Sequence, residues 1–320
     1  MMSSRAVQSM MTMVTLALAT GCAARGTPVT APVASDVPAS TRRIVSSSTG
    51  RAVSLAQLAD AAAKVDVVFF GEQHDDEDTH RAELALLAAI GERKSKVVLS
   101  LEMFERDVQP LVDAYLAGTL SEAEFRAQSR PWPNYGTDYR PLVELAKANR
   151  WPVIASNVPR RLASAVSRRG LGALDSLPPE ERAFAAKDIR CPTGDQYHRN
   201  FVEVMSGAHG GGAPGASGAT PSMQGMMDQF YQAQCIKDET MAEAIVDARA
   251  RAGTDAVVVH FTGAFHSDYA LGTVSRVIRR IPAARPVVVT AVPTPDPARE
   301  DAAPYADRAQ YVILALRVAP

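Results

Sequence analysis

The sequence predicts an α/β fold in which a mostly parallel sheet is flanked by helices and carries an inserted helical subdomain. Three observations predict it. Short apolar, β-branched runs recur along the chain, helical segments with one apolar face lie between them, and one long stretch without strands interrupts the series. Strands that are apolar along their whole length are typical of parallel sheets covered by helices on both faces.

Six strands are expected from these runs, at residues 65–70, 97–101, 153–156, 256–261, 287–292 and 311–316. Helices are expected at 79–90, where the leucines share one face, and around 142–148. Residues 159–251 lack strand signals and are expected to form the helical subdomain. Within it, residues 206–222 are almost wholly Gly, Ala, Ser and Pro. Such a composition buries too little surface to order itself, so we expect a flexible loop.

The first 21 residues have the features of an export signal. Arg5 precedes an uncharged run, residues 10–20, which is too short to span a bilayer. Small residues then lead to Cys22, as in lipoprotein signals, where the cysteine is lipidated and becomes the new N-terminus. We expect lipidation at Cys22; an ordinary secretory signal cut nearby is the alternative.

Residues 22–41 are rich in Pro, Thr, Ala and Ser, and we expect them to tether a globular domain, residues 42–320, to the membrane. Ala23 follows the cysteine, whereas an aspartate there would favour the inner membrane. We therefore expect an outer-membrane lipoprotein, with its periplasmic or surface orientation left open.

Two further cysteines, Cys191 and Cys235, lie in the globular region. Exported proteins experience oxidising conditions, so we expect a disulfide between them. Two unpaired buried thiols are the alternative.

The formal net charge is −1. This balance argues against nucleic acid as the main partner, because binding to phosphates needs a basic face.

Polar and titratable residues follow the first four predicted strands. They are Glu72, His74, Glu102, Asn157, Arg160, His260 and His266. The carboxyl ends of parallel strands share one edge of a sheet, and ligands bind there, so we expect these side chains to converge.

Imidazoles and carboxylates are the usual ligands of zinc, iron and manganese. We therefore expect His74, His266 and His260 to bind a metal, although His260 could instead face the core. A carboxylate beside a metal can act as a general base, which is the role expected of Glu72 or Glu102. Asn157 and Arg160 follow the third strand at the same edge, and we expect them to be catalytic residues too. A satisfied polar network at the edge of the sheet is the alternative.

Other polar residues in this region have simpler interpretations. The acidic residues 75–78 suit a helix N-terminus, and His80 is expected to be a solvated first-turn residue. A dense patch could line the mouth of a cleft, or could be a loop packed over the helix that starts near Tyr139, with Asp138 as its N-cap. The patch comprises Trp132, Tyr135, Asp138, Tyr139 and Arg140. Arg160 could pair with an anionic ligand or with an acid of its own helix.

Six segments of the chain resemble the ChaN-like family of haem-binding uptake lipoproteins, part of a superfamily with Tiki, TraB and erythromycin-esterase-like proteins. The segments are GEQH at 71–74, LEMFERDVQ at 101–109, WPNYGTDYRPLVELAK at 132–147, ASNVPR at 155–160, CIKDETMAEAI at 235–245 and FTGAFHSDYALGT at 261–273. They spread over most of the globular chain, and the resemblance lies in their order and spacing.

The resemblance implies two functions. The superfamily is marked by two Gly-x-x-His motifs and a glutamate, here residues 71–74 and 263–266 with Glu72 and Glu102 as the acids. In the Tiki branch this set is associated with metal-dependent peptidase activity. The ChaN branch is associated with haem binding and iron acquisition at the outer membrane, with a homodimer around the cofactor as one arrangement.

Haem needs an apolar wall and an axial ligand such as Tyr, His or Met. Methionines and aromatic residues recur at helical spacing over 223–231, although such a stripe is more often ordinary core. We name Tyr231, Tyr197 and His198 as candidate haem ligands.

Our leading hypothesis is a lipid-anchored, haem-binding protein of iron uptake. The alternative is a metal-dependent hydrolase that uses His74, His266 and Glu102. A third interpretation is a structural lipoprotein whose polar cluster has lost its function.

Overall fold

The computed structural model describes residues 42–208 and 221–317. Eight strands form one sheet in the order β2-β1-β8-β7-β3-β6-β4-β5. The strands are β1 Arg42–Ser46, β2 Arg51–Val53, β3 Val67–Glu72, β4 Val97–Glu105, β5 Val153–Asn157, β6 Val257–Gly263, β7 Pro286–Thr294 and β8 Tyr311–Leu316. Strands β3 to β8 pair in parallel, so the predicted α/β fold is confirmed.

The sequence did not predict the two antiparallel strands at one edge. Strand β1 pairs with β8, and β2 folds back onto β1. Both strands are short, and β2 is largely exposed. They therefore lack the continuous apolar run by which a buried strand is recognised.

Helices cover both faces of the sheet. They are α1 Leu55–Ala62, α2 Glu77–Gly91, α3 Gln109–Leu116, α4 Glu122–Ser129, α5 Arg140–Asn149, α6 Arg160–Arg169, α7 Pro179–Arg182, α8 Gln196–Ala208, α9 Pro221–Ala252 and α10 Gly272–Arg280. Helices α1, α2, α3 and α5 bury their apolar faces in one core cluster with the sheet. On the opposite face, Ala242 and Ile245 of α9 and Val274 of α10 pack over Val67 and Phe69.

The inserted segment is helical, as expected, and it joins the main layer structure. Helix α6 packs beside α9, and the second half of α9 lies on the sheet. The ends of the predicted flexible loop are helical, because α8 runs to Ala208 and α9 begins at Pro221. Residues 209–220 of that loop lie outside the described residues, as do the predicted signal, the tether and Cys22.

Cys191 and Cys235 are joined by a disulfide across a sequence separation of 44 residues. It ties the segment before α8 to the middle of α9. Among the helices of residues 42–208 and 221–317, none has both the length and the hydropathy that a membrane span requires.

Candidate functional site

The carboxyl ends of β3, β4 and β6 bring four of the predicted residues together. Glu72 ends β3 and lies beside Gly263 of β6, and Glu102 lies on the neighbouring β4. His74 and His266 follow directly after β3 and β6. We call Glu72, His74, Glu102 and His266 the rim cluster.

The two Gly-x-x-His motifs pack against each other through their glycines. A Cβ added to Gly71 would lie 2.7 Å from Ser267 Oγ and 2.9 Å from Ala264 Cα. A Cβ added to Gly263 would lie 2.9 Å from His74 Nε2. Each glycine therefore leaves the space that the other motif occupies, which explains why both positions lack a side chain.

A buried carboxylate orients His74. The Nδ1 atom of His74 lies 2.6 Å from Glu72 Oε1, and the hydroxyl of Tyr139 donates to the same oxygen. Burial opposes charge on this histidine, but the hydrogen bond to Glu72 raises its pKa. Because Glu72 accepts at Nδ1, the lone pair of His74 lies on Nε2. The His74 side chain is 46% exposed.

A second carboxylate orients His266 in the same way. Asp238 of α9 lies 2.9 Å from His266 Nδ1, and it also accepts from Thr273 and from the hydroxyl of Tyr197. Burial alone would lower the pKa of His266, but the charges of Asp238 and Glu102 raise it. His266 Nε2 is left facing Glu102 Oε1 at 3.6 Å.

Glu102 lies between the two histidines and stays ionised. Thr262 Oγ1 donates to its Oε2 at 2.6 Å, and the Gly263 N–H donates at 2.8 Å. Burial would raise its pKa, but the charges of His266 and His74 lower the pKa of Glu102 to about 2. Two histidines and one carboxylate are ligand types that suit zinc or iron, but the donor atoms of His74, His266 and Glu102 do not form a group in which all lie within 4.8 Å of one another.

The rim cluster opens into a cleft under α8 and α9. Glu72, His74, Glu102 and His266 line a cavity of about 350 Å³. A neighbouring cavity of about 420 Å³ shares the wall formed by Glu102, Phe201, Met205, Gln234 and Lys237. The two cavities therefore form one cleft.

The second cavity combines apolar walls with positive charge. Its apolar lining residues include Met103, Trp132, Phe201, Met205 and Phe230. Arg160 and Lys237 line the same cavity, and neither forms a salt bridge with another described residue. Arg160 is thus not the intrahelical salt-bridge residue of the alternative interpretation. Asn157 also lines this cavity, 8% exposed.

His260 does not reach the cleft. It is fully buried one layer below the rim, where Nδ1 bonds Ser100 Oγ at 2.9 Å and the ring packs edge-on against Phe69. Burial lowers its pKa to about 4, so it is neutral. His260 points to the same side of β6 as Thr262, which donates to Glu102, but it lies two residues deeper and lines neither cavity of the cleft, which corrects its predicted role as a metal ligand.

Tyr231 and His198 line neither cavity of the cleft, and Tyr197 lines a third cavity of about 360 Å³ that adjoins the rim cavity at Gln73, Val204, Ala264 and Phe265. Tyr231 is fully buried and donates to the Pro192 carbonyl, and Tyr197 donates to Asp238. Burial raises the pKa of Tyr231 to about 12 and, together with the Asp238 charge, raises that of Tyr197 well above its ordinary value. Neither is suited to bind iron as a tyrosinate. His198 packs on the Tyr231 ring and accepts from the Gly194 N–H.

Two of the simpler interpretations also need correction. His80 is buried, not solvated, because it lies between Glu83 and the Tyr139 ring. Asp138 makes no cap hydrogen bond to α5; it accepts from Asn134 and lies 3.6 Å from His80. Asp76 does cap α2, as the acidic run indicated.

Sequence reasoning missed Asp238 and Lys237 as members of the site, and it placed Tyr139 only in a patch that could line the mouth of a cleft. Asp238 and Lys237 lie on a helix far along the chain from either histidine. Their only signal is their place in the CIKDETMAEAI segment that carries the family resemblance. Tyr139 lies in another such segment, but its contact with Glu72 depends on how α5 packs against the sheet.

Comparison with known proteins adds a relative and a solved structure. Protein RETICULATA-RELATED 5, chloroplastic, from Arabidopsis thaliana is 24% identical over 233 residues, which is 70% of this chain and 30% of that protein. The chain thus spans less than a third of that relative's length. The ChaN structure from Campylobacter jejuni, described as showing cofacial heme binding, superposes with a TM-score of 0.62 at 16% identity. The match covers 86% of this chain and 96% of that one, and it shows a shared fold.

The family described as haem-binding uptake, Tiki superfamily, ChaN, matches residues 58–277. The matched segment runs from α1 to α10 and contains both Gly-x-x-His motifs, Glu102 and Asp238. The chain therefore belongs to the ChaN family of haem-binding uptake proteins in the Tiki superfamily.

Proposed function

We propose that this protein binds haem in the cleft beside the rim cluster and acts in haem uptake as a lipid-anchored protein of the outer membrane. One observation carries the proposal. The cleft has apolar walls, two cations without a salt-bridge partner among the described residues and an oriented histidine in the same continuous space.

Each part of a haem has a matching feature in the cleft. The macrocycle is flat and apolar, as are the faces of Trp132, Phe201 and Phe230. The two propionates are anionic, and Arg160 and Lys237 supply positive charge at the cleft wall. Met205 adds an adaptable side chain between the two cavities.

His74 is the residue we assign as axial ligand. Of the two rim histidines it is the more exposed, with 46% of its side chain accessible against 7% for His266. Its Nδ1 is held by Glu72, which leaves Nε2 to bind iron and makes the imidazole a stronger donor. This assignment replaces Tyr231, Tyr197 and His198.

The membrane anchor and the oligomeric state are further parts of the proposal. The anchor rests on the sequence around Cys22, and the family resemblance suggests a homodimer around the cofactor. A Cys22→Ala variant is expected to move from the membrane to the soluble fraction. A dimer that depends on haem would change its elution volume in size-exclusion chromatography when haemin is added.

One observation favours the second hypothesis, a metal-dependent hydrolase. His74, His266 and Glu102 supply two imidazoles and one carboxylate, ligand types that other metal-dependent hydrolases use, although their donor atoms do not all lie within 4.8 Å of one another. The family to which the chain belongs is described by haem binding, so haem remains the preferred ligand. Bound zinc together with hydrolysis of peptides by the haem-free protein would reverse this preference.

The test is a titration of haemin into the protein that starts at Ala23, in which the absorption of the Soret band is measured. We expect a saturable shift near one equivalent that is lost in His74→Ala and kept in His198→Ala. Arg160→Ala and Lys237→Ala should weaken binding, while Arg168→Ala, on the exposed side of the same helix α6, should not. The absence of a saturable shift would refute haem binding, and a shift unchanged in His74→Ala would refute the ligand.

A further inference from the structure

A second cluster of possible ligands lies behind the rim, between β3 and α2. It contains Glu72, His80 and Glu83, which are at most 3% exposed. His80 and Glu83 lie one turn apart on α2 and point towards the end of β3. This cluster does not open into the haem cleft, because His80 and Glu83 line neither of its cavities.

Three donor atoms converge within the cluster. His80 Nδ1 lies 2.9 Å from Glu83 Oε2 and 3.9 Å from Glu72 Oε2, and all three residues offer atoms within 4.8 Å of one another. Ligands of a tetrahedral zinc ion with metal–ligand distances near 2.1 Å lie about 3.3 Å apart. The observed separations lie on either side of that value.

The neighbouring hydrogen bonds leave these donor atoms free. Glu72 uses Oε1 for His74 and Tyr139, and its buried Oε2 has no hydrogen-bond partner among the described residues. Glu83 Oε1 is likewise buried and has no hydrogen-bond partner among the described residues. On its far side, His80 Nε2 faces the His74 carbonyl at 3.2 Å. That nitrogen therefore carries the ring proton.

With the proton on Nε2, the lone pair of His80 Nδ1 points at the Glu83 carboxylate. Lone pairs of Nδ1 and two carboxylates would repel one another in a buried space unless a proton or a metal ion lies between them. Burial and the charge of Glu72 raise the pKa of Glu83 well above its ordinary value, so the metal-free Glu83 holds a proton, which a metal ion would displace. The buried carboxylate of Asp138 lies 3.6 Å from His80 Nε2 and adds a further negative charge.

We propose that Glu72 Oε2, His80 Nδ1 and Glu83 form a buried structural site for a divalent transition-metal ion, most suitably zinc or manganese. One imidazole and two carboxylates are donors that both ions accept. The Nε2–H of His80, which donates to the His74 carbonyl beside Asp138, supplies the outer hydrogen bond that orients a metal-bound histidine. The ion would fix Glu72 from the side opposite to His74.

This site shares Glu72 with the rim cluster, but His80 and Glu83 lie behind the cleft and the test is made without haem, so the two proposals can fail separately. Purified haem-free protein is dialysed against EDTA, and its zinc, manganese and iron are counted by mass spectrometry. A buried ion exchanges slowly, so wild-type protein is expected to retain about one equivalent. Glu83→Gln, which keeps the side-chain shape, should retain less than a tenth of that. Glu77→Gln, an exposed acid of the same helix, should retain the wild-type amount.

A second measurement covers the case in which Glu83→Gln does not fold. Wild-type protein is unfolded and refolded with EDTA, with zinc chloride or with manganese chloride, and its Tm is recorded. The proposal expects a higher Tm and one bound ion after refolding with one of the two metals. Wild-type protein that binds neither ion, or Glu83→Gln protein that keeps as much metal as wild type, would overturn it. Glu83→Gln with the wild-type Tm and no metal in either protein would show that a proton shared by Glu72 and Glu83 holds the cluster.

Discussion

Glu72 holds His74 through a 2.6 Å contact between a carboxylate oxygen and Nδ1, although the two residues are separated by only one position at the end of β3. Asp238 repeats the arrangement at His266 from a different helix. In each pair a tyrosine hydroxyl donates to the carboxylate, Tyr139 in the first and Tyr197 in the second. Both imidazoles are thereby locked in the tautomer that presents Nε2.

The first prediction concerns Glu72→Gln. Loss of the negative charge weakens the donor strength of His74, since a carboxylate at Nδ1 raises the basicity of a ligating imidazole. We expect the affinity for haem to fall about 10- to 100-fold, the usual cost of removing such a partner. Haemin titration measures this change, and circular dichroism checks that the variant folds.

Asp238→Asn is the matched control, because it removes the corresponding charge from His266. If His74 binds the iron, Asp238→Asn should change haem affinity much less than Glu72→Gln. The reverse order of the two effects would assign the iron to His266.

Gly263→Ala is predicted to disturb His74 without disturbing the backbone. Gly263 has φ −55° and ψ 139°, a conformation open to any residue, but the new Cβ would lie 2.9 Å from His74 Nε2 and 3.0 Å from its Cε1. Relieving such a contact costs about 1–3 kcal/mol, so haem should bind about tenfold more weakly. An unchanged titration with an unchanged Tm would show that the His74 ring moves away freely.

Most of the sheet could be predicted from the sequence, because buried parallel strands are apolar along their whole length. All six predicted strands exist, and their boundaries differ from the prediction by up to four residues, the largest difference being the extension of β4 to Glu105. The β1–β2 hairpin was missed because both strands are short, begin with arginine and are only partly buried. The sequence of α9 could not show that its second half covers the sheet. Its apolar residues are spread around the helix and do not mark one face as the buried one.

The site was predictable only where strand order alone decides position. Glu72, His74, Glu102 and His266 meet because parallel strands end at a common edge. Whether a residue near that edge reaches the cleft also depends on its depth along the strand. His260 points to the same side of β6 as Thr262, which donates to Glu102, but it lies two residues deeper and is fully buried below the cluster. Contacts from other helices, such as Asp238 with His266, depend on packing and leave no local pattern.

Gly71→Ala tests how tightly the two Gly-x-x-His motifs pack. The added Cβ would meet the backbone of Ala264 at 2.9 Å, and backbone cannot move aside as a flexible side chain can. We expect the free energy of unfolding to fall by about 1–3 kcal/mol. Gly207→Ala is the control, because its Cβ meets nothing within 4 Å; its stability should be unchanged or higher by up to about 1 kcal/mol. Equal effects of the two substitutions would contradict the interlocked packing.

The disulfide between Cys191 and Cys235 is predicted to stabilise the fold, because it closes a loop and so lowers the conformational entropy of the unfolded chain. For a separation of 44 residues, the chain-entropy relation gives about 4 kcal/mol. Urea unfolding with and without a reductant measures the difference, and the Cys191→Ser/Cys235→Ser double variant should match the reduced protein. A reduced protein as stable as the oxidised one would mean that the bridge adds no stability.

His260 should make the fold sensitive to mild acid. Burial lowers its pKa from 6.5 to about 4, so the folded protein resists a proton that the unfolded chain accepts below pH 6.5. The stability that depends on neutral His260 is therefore complete above pH 6.5 and is lost as the pH falls towards 4, by about 3 kcal/mol in total.

Urea midpoints of wild type and His260→Asn between pH 4 and 8 measure this effect. Other groups also titrate over this range, but they do so in both proteins, so the difference between the two curves isolates His260. The curves should run parallel above pH 7, where neither protein protonates this residue, and converge as the pH falls, because asparagine takes up no proton. Parallel curves down to pH 4 would mean that His260 accepts a proton inside the fold, which would require a buried partner for its Nε2, an atom without one among the described residues.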